Sequence, residues 1–314
     1  GLRALARKLE EAGQQAASAG VRSEILTLLR DLQKRLPTAN SVSYDLADSL
    51  WTSAQQACHD LPGQRTLLLE AVELLEGFER LVAADSVRWN ELPKPMKFYL
   101  EHGFRRDLRY LLQEDLARNA ASMSQWDLAR KHCLQAVQFG SCNITDLSQE
   151  IQSQLPSGVN WPGIDDLKSA KVAWLQTPDP VLESLRRQFR KGLDDHQMIR
   201  LFLLILSDRV AELVDAGLLD DAENLAVECF HAEVIYDVGS YMHSEGCFEK
   251  IVSQLFTEGL FDKAREVTMT YVELLRTAFV RGAADGFSSV LGKASKIAEA
   301  AGQRPLAVKL ADES

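Results

Sequence analysis

Cys229, His231, His243 and Cys247 come nearest to a reactive centre in this chain: all four are zinc-ligand types, and the last two stand one helical turn apart. Cys229 nevertheless falls midway along one expected helix and His243 at the start of another, so spacing alone does not converge them. Buried packing is the expected role of the two cysteines. The neighbours Cys58-His59 and His132-Cys133 make no thiolate–imidazole pairs, because successive helical residues point about 100° apart. Three acidic doublets, Asp165-Asp166, Asp194-Asp195 and Asp220-Asp221, have the composition of a carboxylate metal site. Each stands at an expected helix start, where aspartate caps free N–H groups and meets the positive end of the helix dipole. An all-helical enzyme or small-ligand binder would have to gather its polar groups from His132, His196, His231, Asp208 and Glu228. The chain carries no phosphate-cradling Gly-x-x-x-x-Gly-Lys, no dinucleotide fingerprint, no His-Glu-x-x-His and no nucleophile elbow. The expectation is a non-catalytic protein with no cofactor and no metal.

The elements that would position such residues are helices. Among 314 residues there are only 9 Pro and 18 Gly, and Leu, Ala, Glu, Gln and Arg fill the long intervals between them. Hydrophobic residues make up 46% of the chain, enough for a continuous core. Against 35 Lys and Arg stand 45 Asp and Glu, a formal charge of −10 that disfavours phosphate backbones and anionic lipid. Neither nucleic acid nor a membrane is an expected partner. The richest apolar run, Met198 to Leu206, is interrupted by Arg200 and falls short of the roughly 20 residues a bilayer requires. Five scattered cysteines suit a reducing, cytoplasmic compartment better than a disulfide scaffold. The opening Gly1-Leu2-Arg3 resembles neither a start nor a signal segment, which suggests a piece of something longer.

Helical periodicity begins at once. Residues 2 to 18 and 22 to 36 read as a hairpin turning at Gly20, and a second hairpin turns at Leu61-Pro62-Gly63. Further helices are expected at 98 to 102, 104 to 123, 126 to 139, 145 to 154, 164 to 175, 180 to 191, 195 to 216, 219 to 232, 236 to 258, 261 to 281, 286 to 301 and 304 to 311. The octet from Pro156 to Gly163 is the most loop-like stretch. It divides the chain into N-terminal hairpins at 1–139, a connecting segment at 140–163 and C-terminal repeats at 164–314. No stretch alternates as a strand would.

One pattern repeats. A helix ends in glycine, and alanine follows five residues later, at Gly217 and Ala222, Gly259 and Ala264, and Gly302 and Ala307. Glycine suits the left-handed conformation that closes the first helix, and alanine lets the second pack closely. A fourth copy, with the glycine replaced, runs from Leu116 to Ala129. These segments resemble the tetratricopeptide-like helical repeat superfamily, with Trp126 and Phe261 at the aromatic place of its turn and Leu219 and Arg304 departing from it. The resemblance covers about 107 to 139 and 200 to 311, and it implies an all-α, right-handed superhelix (α-solenoid) of stacked antiparallel hairpins. The first helix of each pair would then line a groove for a protein or peptide segment. Its matching positions are Glu114 and Arg118, Ser207 and Ala211, and Glu249 and Ser253. They lack the Lys and Asn with which some members clamp a terminal carboxylate. Glu114, Arg118, Ser207, Glu249 and Ser253 are accordingly expected to face some other partner. Trp161 reads as a plug between the two halves or an exposed anchor. Arg186, Arg187 and Arg190, with Lys191, form a basic cluster able to dock an acidic segment, and Arg105, Arg106 and Arg109 a weaker one. Self-association, as in a structural or sensor arm of a larger assembly, is the second expected mode of contact.

Overall fold

A computed structural model describes residues 2–36, 40–57, 59–83, 104–139, 144–191, 196–235, 242–280 and, in part, 292–312. The expected helices at 98–102 and 286–301 fall wholly or largely outside the described residues, as do Cys58, Cys142 and Asp194-Asp195. Among the described residues the chain is helical, with no strand. The helices are α1 (Leu2–Glu11), α2 (Gln15–Arg35), α3 (Asn40–Gln56), α4 (Leu61–Ala83), α5 (Phe104–Ser122), α6 (Trp126–Phe139) and α7 (Ile144–Gln152). Then follow α8 (Ile164–Leu175), α9 (Pro180–Arg190), α10 (His196–Asp215), α11 (Leu219–Ile235), α12 (Met242–Thr257), α13 (Phe261–Val280) and α14 (Arg304–Asp312). No described helix is long and apolar enough to cross a membrane.

One corner recurs among them. Gly13, Ser124, Gly217, Gly259 and Gly302 all have positive φ, between +57° at Ser124 and +75° at Gly217. In each corner the amide of the left-handed residue bonds the carbonyl three residues back. The next amide reaches five residues back, as in Leu218 to Leu213 at 2.8 Å and Gln125 to Ala120 at 2.8 Å. That is the double closure by which a left-handed residue satisfies the last free carbonyls of a helix. The residue five places on is small and buried every time: Ser18, Ala129, Ala222, Ala264 and Ala307.

Two of the expected turns lie elsewhere. Gly20 stands inside α2, and the first hairpin turns at Gly13 instead. Gly63 belongs to the first turn of α4, whose start is capped by Asp60: the Gly63 amide donates to Asp60 Oδ1 at 3.0 Å. Pro62 fits there because the first helical turn leaves its amides without intrahelical partners.

The chain forms two compact units, 1–187 and 188–314, so the division falls within α9 and not in the 140–163 segment. In the first unit Leu26, Leu46, Leu50, Leu68, Leu75 and Leu112 join α2, α3, α4 and α5 in one apolar cluster. A second cluster sets Ala120, Ala129, Cys133, Leu147, Ile151 and Leu167 between α5, α6, α7 and α8. In the second unit Phe230, Phe248, Leu255 and Tyr271 are buried, and the rings of Phe248 and Tyr271 lie 4.7 Å apart. From α1 to α7 in the first unit and from α10 to α13 in the second each helix packs on the next, and several also touch the next but one: α5 with α7 and α6 with α8 in the first, α10 with α12 and α11 with α13 in the second.

Candidate functional site

The helix faces carry polar ties between alternate helices. On the odd-numbered layer of the first unit, Gln56 of α3 donates to Glu10 of α1 at 2.5 Å. Trp51 of α3 donates from Nε1 to Asp115 of α5 at 2.8 Å, and Gln55 also donates to that carboxylate. Arg118 of α5 then bonds Glu150 of α7 through Nε and Nη2, at 3.1 and 3.0 Å. On the other layer Arg30 of α2 forks onto Glu70 of α4, at 2.8 and 2.6 Å. In the second unit Lys263 of α13 pairs with Asp220 of α11, and Lys250 of α12 lies 3.0 Å from Asp215 of α10.

Electrostatics follow from these contacts. The hydrogen bond from Arg22 holds the Glu10 carboxyl below the usual range. Asp115 goes the other way because burial outweighs the bonds it accepts. Tyr110, burying its phenol near Glu114, is pushed up to about 12. His132 has its Nδ1 within 2.8 Å of Gln113 Oε1, while Nε2 is buried without a hydrogen-bond partner. Burial brings its pKa down to about 4, with Lys131 and Arg65 adding repulsion.

Each expected site residue now has a place. Glu114 and Arg118 pair with one another at 2.9 Å on α5, so the Arg118 charge is shared among Glu114 and Glu150. Ser207 is half-buried between α10 and α12, its hydroxyl 3.4 Å from both the His243 carbonyl and Cys247 Sγ. Glu249 and Ser253 are exposed on α12. Trp161 is half-buried against the second cluster of the first unit, and its Nε1 donates to Ser148 of α7 at 2.9 Å. Arg186 pairs with Glu183 within α9; Arg187 is half-buried and Arg190 exposed. Arg109 is buried with its guanidinium 4.7 Å from the Phe139 ring. Side chains of Arg105, Arg106 and His196 lie outside the described residues.

Cys229 and Cys247 do meet, buried between α11 and α12. Cys229 donates to Cys247; that bond, with burial, raises the first thiol, while this bond and Ser207 lower the second. His231 is exposed, and among the described residues no group of three or more His, Cys, Asp or Glu is placed to hold a metal ion. His132 belongs to the first unit; Asp208, Glu228 and His231 belong to the second.

Three acidic side chains position the starts of helices. Glu233, buried near the end of α11, accepts from the His243 amide at 2.9 Å, from the Ser244 amide at 3.2 Å and from the Ser244 hydroxyl. A side chain of one helix thus caps the next. Asp179 caps α9 through the amides of Val181 and Leu182, at 2.8 and 3.2 Å. Asp166, from an acidic doublet, accepts the Gly163 amide at 2.9 Å. Asp179 was legible as an aspartate directly before a helix-starting proline; Glu233 had no such signal.

No protein-family model matches the chain, and neither a curated protein nor a solved structure matches it.

Proposed function

We propose that this chain is a non-catalytic interaction scaffold: a right-handed superhelix of tetratricopeptide-like hairpins that binds a protein segment on its helix faces. The observation that supports this reading is the fivefold corner, in which a left-handed residue closes one helix and a small buried residue admits the next. Hairpins built this way bury their apolar faces against neighbours, as stacked repeats do. The ties from α1 to α3, α3 to α5 and α5 to α7 support a layered arrangement in the first unit. Such a face is ordered before its partner arrives, so association does not have to meet the entropy of ordering it.

The experiment is affinity capture on the immobilised chain from a native lysate of the source organism, with quantitative mass spectrometry. The scaffold reading expects a protein retained near equimolar amount that survives removal of small molecules. Retention of no protein, together with a rise in melting temperature on adding the low-molecular-mass extract, would replace it with a small-ligand binder.

A further inference from the structure

We infer that the tip of the α12–α13 corner, formed by Phe256, Leu260 and Phe261, docks a basic segment of a partner protein, one whose large apolar anchor is flanked by lysine or arginine. The inference rests on the scaffold reading and adds to its helix faces a contact at the helix ends. Three large apolar side chains stand bare here within six residues: Phe256 is 41% exposed, Leu260 47% and Phe261 54%. The two rings meet edge to face, 5.0 Å between centres, so they present one surface. Single exposed apolar residues are ordinary, whereas a contiguous patch of them marks a contact surface, and aromatic residues are the commonest anchors of such surfaces.

The corner itself does not require this patch. At Gly217 the matching Val214 and Leu219 are buried and Leu218 is half-buried, while at Gly13 and Gly302 the matching positions are polar. Nor does the Gly259 corner lack a neighbour. On one side Lys263, at the start of α13, pairs with Asp220 at the start of α11. On the other, a Cβ added at Gly302 would stand 3.2 Å from Phe256 Cε2, so the Gly302 corner closes against the edge of that ring. Gly259 is thus the middle corner of three, and its apolar tip stays bare with both neighbours in place.

Charge selects the occupant. The stretches 215–223 and 258–266 hold seven carboxylates against Lys263 and Arg265. Lys250 of α12 lies on Asp215, and Lys263, bonded to Asp220 with Glu223 and Glu266 close by, is held above the usual lysine range. With all three cations counted, four negative charges remain in excess, and the third corner adds Glu299 and Arg304, which cancel. A basic segment is attracted to such a rim. A second copy of this chain would set the same excess against itself, and anionic lipid would be repelled.

The test selects a phage-displayed library of random dodecapeptides on the intact chain, after depletion on the bare support. Enriched peptides should combine an aromatic residue or leucine with an excess of lysine and arginine. Synthesised with a fluorescein label and read by anisotropy, they should bind about tenfold more weakly to Phe261→Ser and to Leu260→Ser, each with unchanged circular dichroism. Glu258→Lys, which places a cation where the end of α12 favours one, should weaken them by about two- to fivefold at low salt and less at high salt. Peptides without a basic excess, or indifferent to Glu258→Lys, overturn the proposal. So does a dimer in light scattering that Phe261→Ser dissolves, which would make a second copy the occupant. Peptides that bind intact chain and both serine variants alike sink this corner and leave the scaffold reading standing. Absence of any enrichment also sinks the corner, and the scaffold reading falls with it only if lysate capture retains no protein.

Discussion

Ser124 is the described non-glycine residue with positive φ, at +57°. A Cβ in the left-handed region costs about 1–2 kcal/mol, part of which glycine recovers at the expense of a floppier unfolded chain. Ser124→Gly should therefore stabilise the fold by about 0.5–1 kcal/mol, read as a higher denaturant midpoint at unchanged slope. Glu233 works in the opposite direction: its carboxylate takes three bonds from the start of α12 while itself buried. Glu233→Ala should leave those donors unsatisfied and cost about 1–3 kcal/mol in chemical denaturation. Equal stability of that variant would show the cap to be idle.

At the scale of elements, the corner depends on what stands five residues after it. Ala264 is buried where α13 passes α12, its amide bonding the Leu260 carbonyl at 3.0 Å. Ala264→Leu adds three carbons to a closed contact and should cost about 1–3 kcal/mol in thermal or urea unfolding. A variant that melts with the wild type would mean that the two helices do not nest there. This is also where the sequence was most readable. Glycine followed by alanine marked the corners at 217, 259 and 302, and Trp126 and Ala129 marked the one at Ser124. The corner at Gly13 hid because serine stands at position 18, and Gly20 nearby offered a false turn. At Pro62-Gly63 the two residues that most often break helices open one instead, a use only the Asp60 cap reveals. The ties from Trp51 to Asp115 and from Arg118 to Glu150 join residues 64 and 32 apart in the chain. Periodicity speaks only of near neighbours, so nothing in it pairs these side chains.

At the scale of the whole molecule, stability should fall in mild acid. An ordinary histidine titrates near 6.5, whereas His132 in the folded chain does so at about 4. Between those values the unfolded chain takes a proton that the folded chain refuses. The contribution of His132 is therefore intact above pH 6.5 and drains as pH falls toward 4, by up to about 1.4 kcal/mol per pH unit. His243, lowered by burial and by Arg200, acts in the same sense. Denaturation curves across pH 4–7 for wild type and His132→Asn should differ in slope over that window alone; parallel curves would mean that His132 carries no such load.

The surface account meets its most direct test in hydrogen exchange, followed by mass spectrometry, on the chain free and bound to its captured protein partner. The account predicts new protection along neighbouring helix faces, with the corner at 124 unchanged. Protection confined to the buried surroundings of His132, or of Cys229 and Cys247, would contradict it and point to a ligand held inside the helices.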